Sequence, residues 1–283
     1  MIADRAVKLD EIGYWSEIKL EIIKDYAAEY SKILTASARL GPPFKHVYID
    51  GFAGAGRHIS KTTREFIPGS PLNALLVDPQ FSEYHFIDMN EGRVAALEEI
   101  AAERSNVKVH HGNCNEILLR DVFPRVLYKD YRRGLCLLDP YGLHLDWEVI
   151  QTAGQMGSVE IFLNFPIMDM NMNVLKRDPK CNRRQGDVER MNAFWGDESW
   201  REVAYPTTLN LFSEPEKASN EMVADGFRTR LKKVAGFAFV PPPIPMRNTT
   251  GSIVYYLFFA SHKPVAAKIV DYIFKKYASR GAR

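Results

Sequence analysis

The chain has 283 residues, 46% apolar and 25% charged, with a formal net charge of +2. That is the composition of an ordinary globular protein, long enough for one large core or one core with a sizeable insertion. No run approaches the ~18 apolar residues of a membrane span and the N-terminus carries no apolar signal region, so a reducing cytoplasm is the expected location. The small net charge does not exclude nucleic acid, because a local basic patch suffices.

Apolar residues recur at helical spacing from Trp15 to Leu34, and Gly41-Pro42-Pro43 ends that helix. His46 to Asp50 is a short apolar run closing on an acid before a glycine-rich turn, as in a buried parallel strand. The same unit recurs at Glu83–Asp88, Val107–His111, Gly134–Asp139 and Val159–Phe165, with helices expected at Glu91–Glu103, Cys114–Leu119 and Trp147–Gly154. Alternation of this kind implies a parallel, doubly wound sheet that binds its ligand beyond the carboxyl ends of the strands. Residues 166–235 break the rhythm and read as a helical insertion, with helices at Val188–Trp195 and Ala218–Val234. Phe237–Val240 and Ile253–Ala260 read as a terminal antiparallel hairpin, followed by a helix at Val265–Tyr277.

Three of the five strands end in an acid, at Asp50, Asp88 and Asp139. The turn Asp50-Gly51-Phe52-Ala53-Gly54-Ala55-Gly56 lets the backbone approach a ligand. It lacks the features of a phosphate-binding loop, and a zwitterionic nucleoside cofactor suits it better. Asp88, with Met89 beside it, is placed for the ribose hydroxyls, and Asn90 is a candidate helper. Gly112-Asn113-Cys114 ends the third strand, where Asn113 either reads an adenine edge or caps a helix.

Asp139-Pro140-Tyr141-Gly142 carries the chemistry. Asp139 is expected to accept a hydrogen bond from an exocyclic amine, and Pro140 fixes a carbonyl for its second hydrogen. Tyr141 is placed to stack on a base. Asn164 and Phe165 close the fifth strand on the substrate side or pack there. Lys176, Arg177, Lys180, Arg183 and Arg184 are candidates for phosphate contacts, whereas the Arg132-Arg133 and Arg228–Lys233 clusters read as solvated faces. Cys114, Cys136 and Cys181 have no Cys-x-x-Cys spacing and the seven histidines no ligand spacing, so neither disulfide nor metal is assigned; Cys114 and Cys136 read as buried thiols.

These features together predict an α/β fold of the class I S-adenosylmethionine (SAM)-methyltransferase type, Rossmann-like. With Asp50–Gly56, Phe86-Ile87-Asp88, Leu137–Gly142, Asn164-Phe165-Pro166 and Phe194-Trp195-Gly196, most of the chain resembles the three-Cys-motif partner (TcmP) family. That resemblance implies a methyltransferase-like protein paired with a three-Cys-motif protein. Asp50–Arg57, Pro68–Pro71 and Asp139-Pro140 also resemble the adenine-N6 methyltransferases of large-subunit ribosomal RNA. Their Asp-Pro-Pro-Tyr motif stands here as Asp139-Pro140-Tyr141-Gly142, so the amine-acceptor role carries over to Asp139. The expected activity is methyl transfer from SAM to a nitrogen on a nucleic-acid base. The alternatives are a non-catalytic SAM-binding module acting through a partner, and a weaker NAD-dependent reading.

Overall fold

The computed structural model describes residues 10–178, 181, 183–206 and 217–278. The chain begins with β1 (Asp10–Ile12), α1 (Tyr14–Leu40), β2 (Lys45–Asp50), β3 (Arg57–Ser60), β4 (Phe66–Pro68) and α2 (Ser70–Leu75). The strand–helix alternation continues through β5 (Glu83–Asp88), α3 (Glu91–Ala101), β6 (Val107–His111), α4 (Cys114–Ile117), β7 (Arg132–Leu138), α5 (Trp147–Met156) and β8 (Val159–Phe165). Four helices follow: α6 (Ile167–Asn173), α7 (Gln185–Trp195), α8 (Trp200–Ala204) and α9 (Asn220–Lys233). A hairpin of β9 (Ile244–Arg247) and β10 (Ile253–Ala260) leads into α10 (Pro264–Ala278).

The large sheet has the order β6-β5-β2-β7-β8-β10-β9. Its first five strands are parallel, and β10 and β9 are added antiparallel. This is the class I methyltransferase-type, Rossmann-like sheet with its terminal hairpin. Strand order reverses between β2 and β7, so the ligand crevice of such a sheet opens there. Register makes the point concrete. Asp50 lies level with Phe86 on β5 and Leu137 on β7, so Asp88 and Asp139 stand two positions further out on either side of the glycine turn.

Each face of the sheet is covered by helices. Ile18, Ile22 and Tyr26 of α1 pack with α10 on one face, where Tyr26 meets Phe162 at 5.3 Å and Phe259 at 4.7 Å. The other face takes α5, α7 and α9, with Phe194 stacked on Phe227 at 5.6 Å. Trp195 and Trp200 are each 1% exposed, so neither offers a surface to a partner.

Several expectations need correction. The first hairpin strand is Ile244–Arg247, not Phe237–Val240, which contributes an isolated bridge from Phe239 to Ser261. Pro241–Pro243 has no N–H to donate, so pairing resumes only beyond it; Pro245 is tolerated because β9 is the sheet edge. The segment between Gly56 and Glu83, for which no element is expected from the sequence, is structured. It forms β3, β4 and α2, and β1-β3-β4 is a second, three-stranded sheet. Arg132 and Arg230 are not solvated: Arg132 pairs with Glu83, and Arg230 pairs with Asp197 at 2.7 Å while lying 4.6 Å over the Trp147 ring. Arg183 bonds the Val174 carbonyl at 2.6 Å and the Tyr205 hydroxyl at 2.8 Å, a structural tie rather than a phosphate contact. Lys180 lies outside the described residues.

Glu83 anchors the lower end of β5 through Lys108 at 2.5 Å and Arg132. Burial by itself would raise its pKa, but the bonds from Lys108 and Arg132 hold it down at about 2. A depressed carboxylate contributes stability that is complete above its ordinary range and is lost as pH falls through the folded value. The Tm gap between wild type and Glu83→Gln is therefore expected to narrow as pH drops from about 6 toward 3. Melts of both proteins across that range check it; a gap independent of pH would contradict the assignment.

Candidate functional site

The glycine turn is held in the plane of the sheet from both sides. Gly51 N–H donates to the Leu137 carbonyl and Ala53 N–H to that of Ile87, each at 2.9 Å. A methyl on Gly51 would lie 2.8 Å from Cys114 Sγ, so this close approach needs glycine. Gly54 sits at φ +64, a left-handed conformation that favours glycine. Its N–H donates to Asp88 Oδ2 at 3.0 Å, which ties the turn to the tip of β5. The backbone N–H of Asn90 donates to Asp88 Oδ1 at 2.8 Å, while the Asn90 side chain caps α3. Asn113 caps α4 by accepting from Asn115 N–H at 2.9 Å, so its side-chain oxygen is already engaged.

Above these strand ends opens a cavity of about 880 Å³. Gly51, Phe52, Ala53 and Gly54 form one part of its wall, with Asp88 and Met89 and then Asn113 and Cys114 beside them. Asp139, Pro140, Tyr141 and Asn164 form the opposite part. Topology thus gathers most of the sequence-predicted residues into one place. Asp50, Gly56 and Phe165 are not among them. Asp50 is fully buried under the turn, accepting from Phe52 N–H at 3.2 Å, and burial pushes its carboxyl up to about 7. Gly56 accepts from Gly69 N–H at 2.8 Å, joining the turn to α2. Phe165 points to the opposite side, 4.7 Å from Phe227 in the buried aromatic cluster.

The structure adds groups that the motif reading missed. Lys19, from the second turn of α1, reaches Asp139 and forms an ion pair with it. Its side chain is 8% exposed against 27% for Asp139. Burial by itself would lower the Lys19 pKa, yet the charge and hydrogen bond of Asp139, together with Tyr255 and Asp50, more than offset this and the pKa is raised. The Tyr255 ring at the start of β10 lies 5.5 Å from the ammonium, and burial pushes its phenol up to about 12. His58, from β3, also lines the cavity; burial lowers its pKa, and the nearby Lys19 charge lowers it further. Arg93 bridges Asp10 of β1 at 2.7 Å and approaches Asp88 at 3.8 Å. One signal was available in the sequence: Lys19 is a cation inside the arc otherwise formed by Trp15, Ile18, Ile22 and Tyr26.

Asn164 is 8% exposed, and its Oδ1 has no partner among the described residues. Tyr141 is 90% exposed at the cavity mouth rather than packed on the sheet. Among the described residues no group of three or more His, Cys, Asp or Glu is placed to hold a metal, and no helix is long and apolar enough to cross a membrane.

No family model and no curated protein matches the sequence. Among solved structures the chain is similar to protein LPL1258 from Legionella pneumophila, of the DUF519 family model, at 12% identity and a TM-score of 0.50, with 93% of this chain and 94% of that one covered. A trans-methyltransferase, CalH, in complex with SAH aligns at 13% identity and TM-score 0.36, over 84% of this chain and 56% of that one. PKMT2 from Rickettsia typhi, in complex with AdoHcy, aligns at 13% identity and TM-score 0.31, over 75% and 38%. At these identities the likeness concerns the fold alone.

Proposed function

We propose that the chain is a SAM-dependent methyltransferase acting on a nitrogen of a nucleic-acid base. The observation that carries this reading is a carboxylate, Asp139, standing in the cavity wall at the switch point and held there by the buried Lys19.

The residues present suit the cofactor. A methyl built on Gly54 would meet nothing nearer than His58 Cε1 at 3.9 Å, which leaves room above the turn. Both oxygens of Asp88 keep lone pairs after accepting one N–H each, so its carboxylate can clasp two ribose hydroxyls. Met89 and the backbone at Asn113 and Cys114 border the adenine side. When bound, SAM supplies an electrophilic methyl on a sulfonium.

The chain's own groups supply orientation. Asp139 accepts an N–H of the acceptor amine, which turns the nitrogen lone pair toward the methyl. The ammonium of Lys19 holds that carboxylate in place. A carboxylate so held is a well-placed acceptor, so its contribution is mainly positional. Transfer leaves a proton on the nitrogen, and Asp139 is placed to pass it to water. The Pro140 carbonyl and Asn164 Oδ1 are further acceptors on the same wall, and Tyr141 is free to stack on a base.

The finer family reading, TcmP with a three-Cys-motif partner, rests on the motifs; the reading of one methyltransferase-like domain over residues 1–283 with an insertion at 166–235 rests on the strand–helix alternation and its break. A non-catalytic module is favoured only by the altered Asp139–Gly142 motif, since Trp195 and Trp200 are buried and offer no interface. Calorimetric titration with SAM and NAD, and transfer of labelled methyl from SAM to RNA and DNA followed by nucleoside analysis, test the proposal. Label on a base nitrogen supports it. SAM binding without transfer, with or without partner, favours the module, and binding of NAD alone defeats both.

A further inference from the structure

The small sheet beside the cavity presents two different faces. Register places Arg57 opposite Pro68, Ile59 opposite Phe66, and Glu11 level with Ile59, so these five share the outer face. His58 shares the inner face with Asp10, and both line the cavity. Phe66 is 74% exposed, the only exposed phenylalanine among the described residues. An isolated surface aromatic is unremarkable by itself. Here cations accompany it along the chain: residues 57–66 hold Arg57, Lys61 and Arg64 against one acid, Glu65, and Arg57 shares its face of the sheet. Arg64 is engaged by Glu11 at 2.8 Å. Arg57 and Lys61 are exposed and have no carboxylate within ion-pair distance among the described residues.

The turn that carries these groups is held rigidly. Ser60 Oγ accepts from the N–H groups of Thr62 and Thr63 at 3.1 Å each and donates to Glu17 Oε1 at 2.7 Å. Arg64 is held at φ +63. A rigid turn loses little freedom on binding. Lys61 also lines the cavity, so the face is continuous with the catalytic opening.

We propose that the β3–β4 face is a binding platform for single-stranded nucleic acid, with a base flanking the target stacked on Phe66 and phosphates held by Arg57 and Lys61. This rests on the nucleic-acid reading above and assigns the surface that would deliver the strand. An exposed ring accompanied by cations fits a strand that offers π faces and phosphates in alternation. Single strands fit better than duplex, whose bases show the protein only their edges.

The test is fluorescence anisotropy with labelled single-stranded RNA and DNA about ten nucleotides long, within the span of such a platform. Phe66→Ala is expected to weaken binding about tenfold, and Phe66→Tyr to retain it. Arg57→Ala with Lys61→Ala is expected to reduce the slope of log affinity against log salt by about 1.4, at roughly 0.7 per phosphate. Melting temperature should stay at the wild-type value, because these side chains lie outside the core, and SAM affinity should stay at the wild-type value in Phe66→Ala, whose ring does not line the cavity. Unchanged oligonucleotide affinity in Phe66→Ala overturns the platform while leaving the methylation reading intact. Loss only of a co-purifying protein in that variant also overturns it, in favour of a protein-docking face. Failure of the wild type to bind or methylate any RNA or DNA defeats both the platform and the nucleic-acid reading.

Discussion

Asp139→Asn is expected to lower methyl transfer about a thousandfold while SAM affinity stays within a few-fold of wild type. The substitution preserves volume but removes the charge and offers an N–H donor where the acceptor amine also donates. It has a second consequence, because Lys19 is left in a nearly closed environment without its counter-charge. Breaking a buried ion pair from one side costs about 3–5 kcal/mol, and the partial exposure of Asp139 scales this to about 1–3 kcal/mol. Without Asp139, burial is left as the leading influence on Lys19 and drives its pKa downward. A lysine with a depressed folded pKa destabilises the fold increasingly as pH falls from its unfolded value toward the folded one, so the variant should be weakest at neutral pH and below. Lys19→Met combined with Asp139→Asn should recover much of that stability yet none of the activity. Denaturant melts and single-turnover rates on the two single variants and the double variant separate the effects. Full turnover by Asp139→Asn, with its Tm unchanged, would remove Asp139 from the mechanism.

Asp88→Ala is the variant expected to reduce SAM affinity most, by about a hundredfold or more. Hydrogen bonds to a charged group contribute about 1.5–3 kcal/mol each, and the ribose would lose two. The turn also suffers, since the N–H groups of Gly54 and Asn90 lose their acceptor and Arg93 loses one of its two acids. Asp88→Asn, which keeps one acceptor oxygen, should fall between. Calorimetry reads both variants directly, and an Asp88→Ala affinity within a few-fold of wild type would show that the ribose lies elsewhere. The two residues thus make opposite forecasts: Asp139 governs rate at constant cofactor affinity, and Asp88 governs cofactor affinity.

The parallel strands were legible because most are apolar runs with a polar residue at or beside their ends, a pattern set by burial on both faces. Glu83–Asp88, Val107–His111 and Val159–Phe165 match the structure residue for residue. The glycine turn was legible too, since few residues other than glycine tolerate the φ of Gly54 or the proximity of Cys114 to Gly51. What resisted reading was whatever depends on which segments meet. Phe165 follows Asn164 directly, yet strand alternation sends one side chain into the cavity wall and the other into the aromatic core. The β1-β3-β4 sheet joins strands of three or four residues, too short to carry a period.

By itself, the sequence determined the strand-and-helix alternation, the acid-tipped sheet edge and the turn that can lie against a ligand, because these follow from local periodicity and backbone sterics. Only the tertiary structure decided that Lys19, 120 positions before Asp139 in the chain, would be its counter-ion, and that Tyr255 and His58 would stand near by. Ion pairing and desolvation act through space at a few ångströms. No spacing along the chain encodes which distant residue the fold will bring within that range.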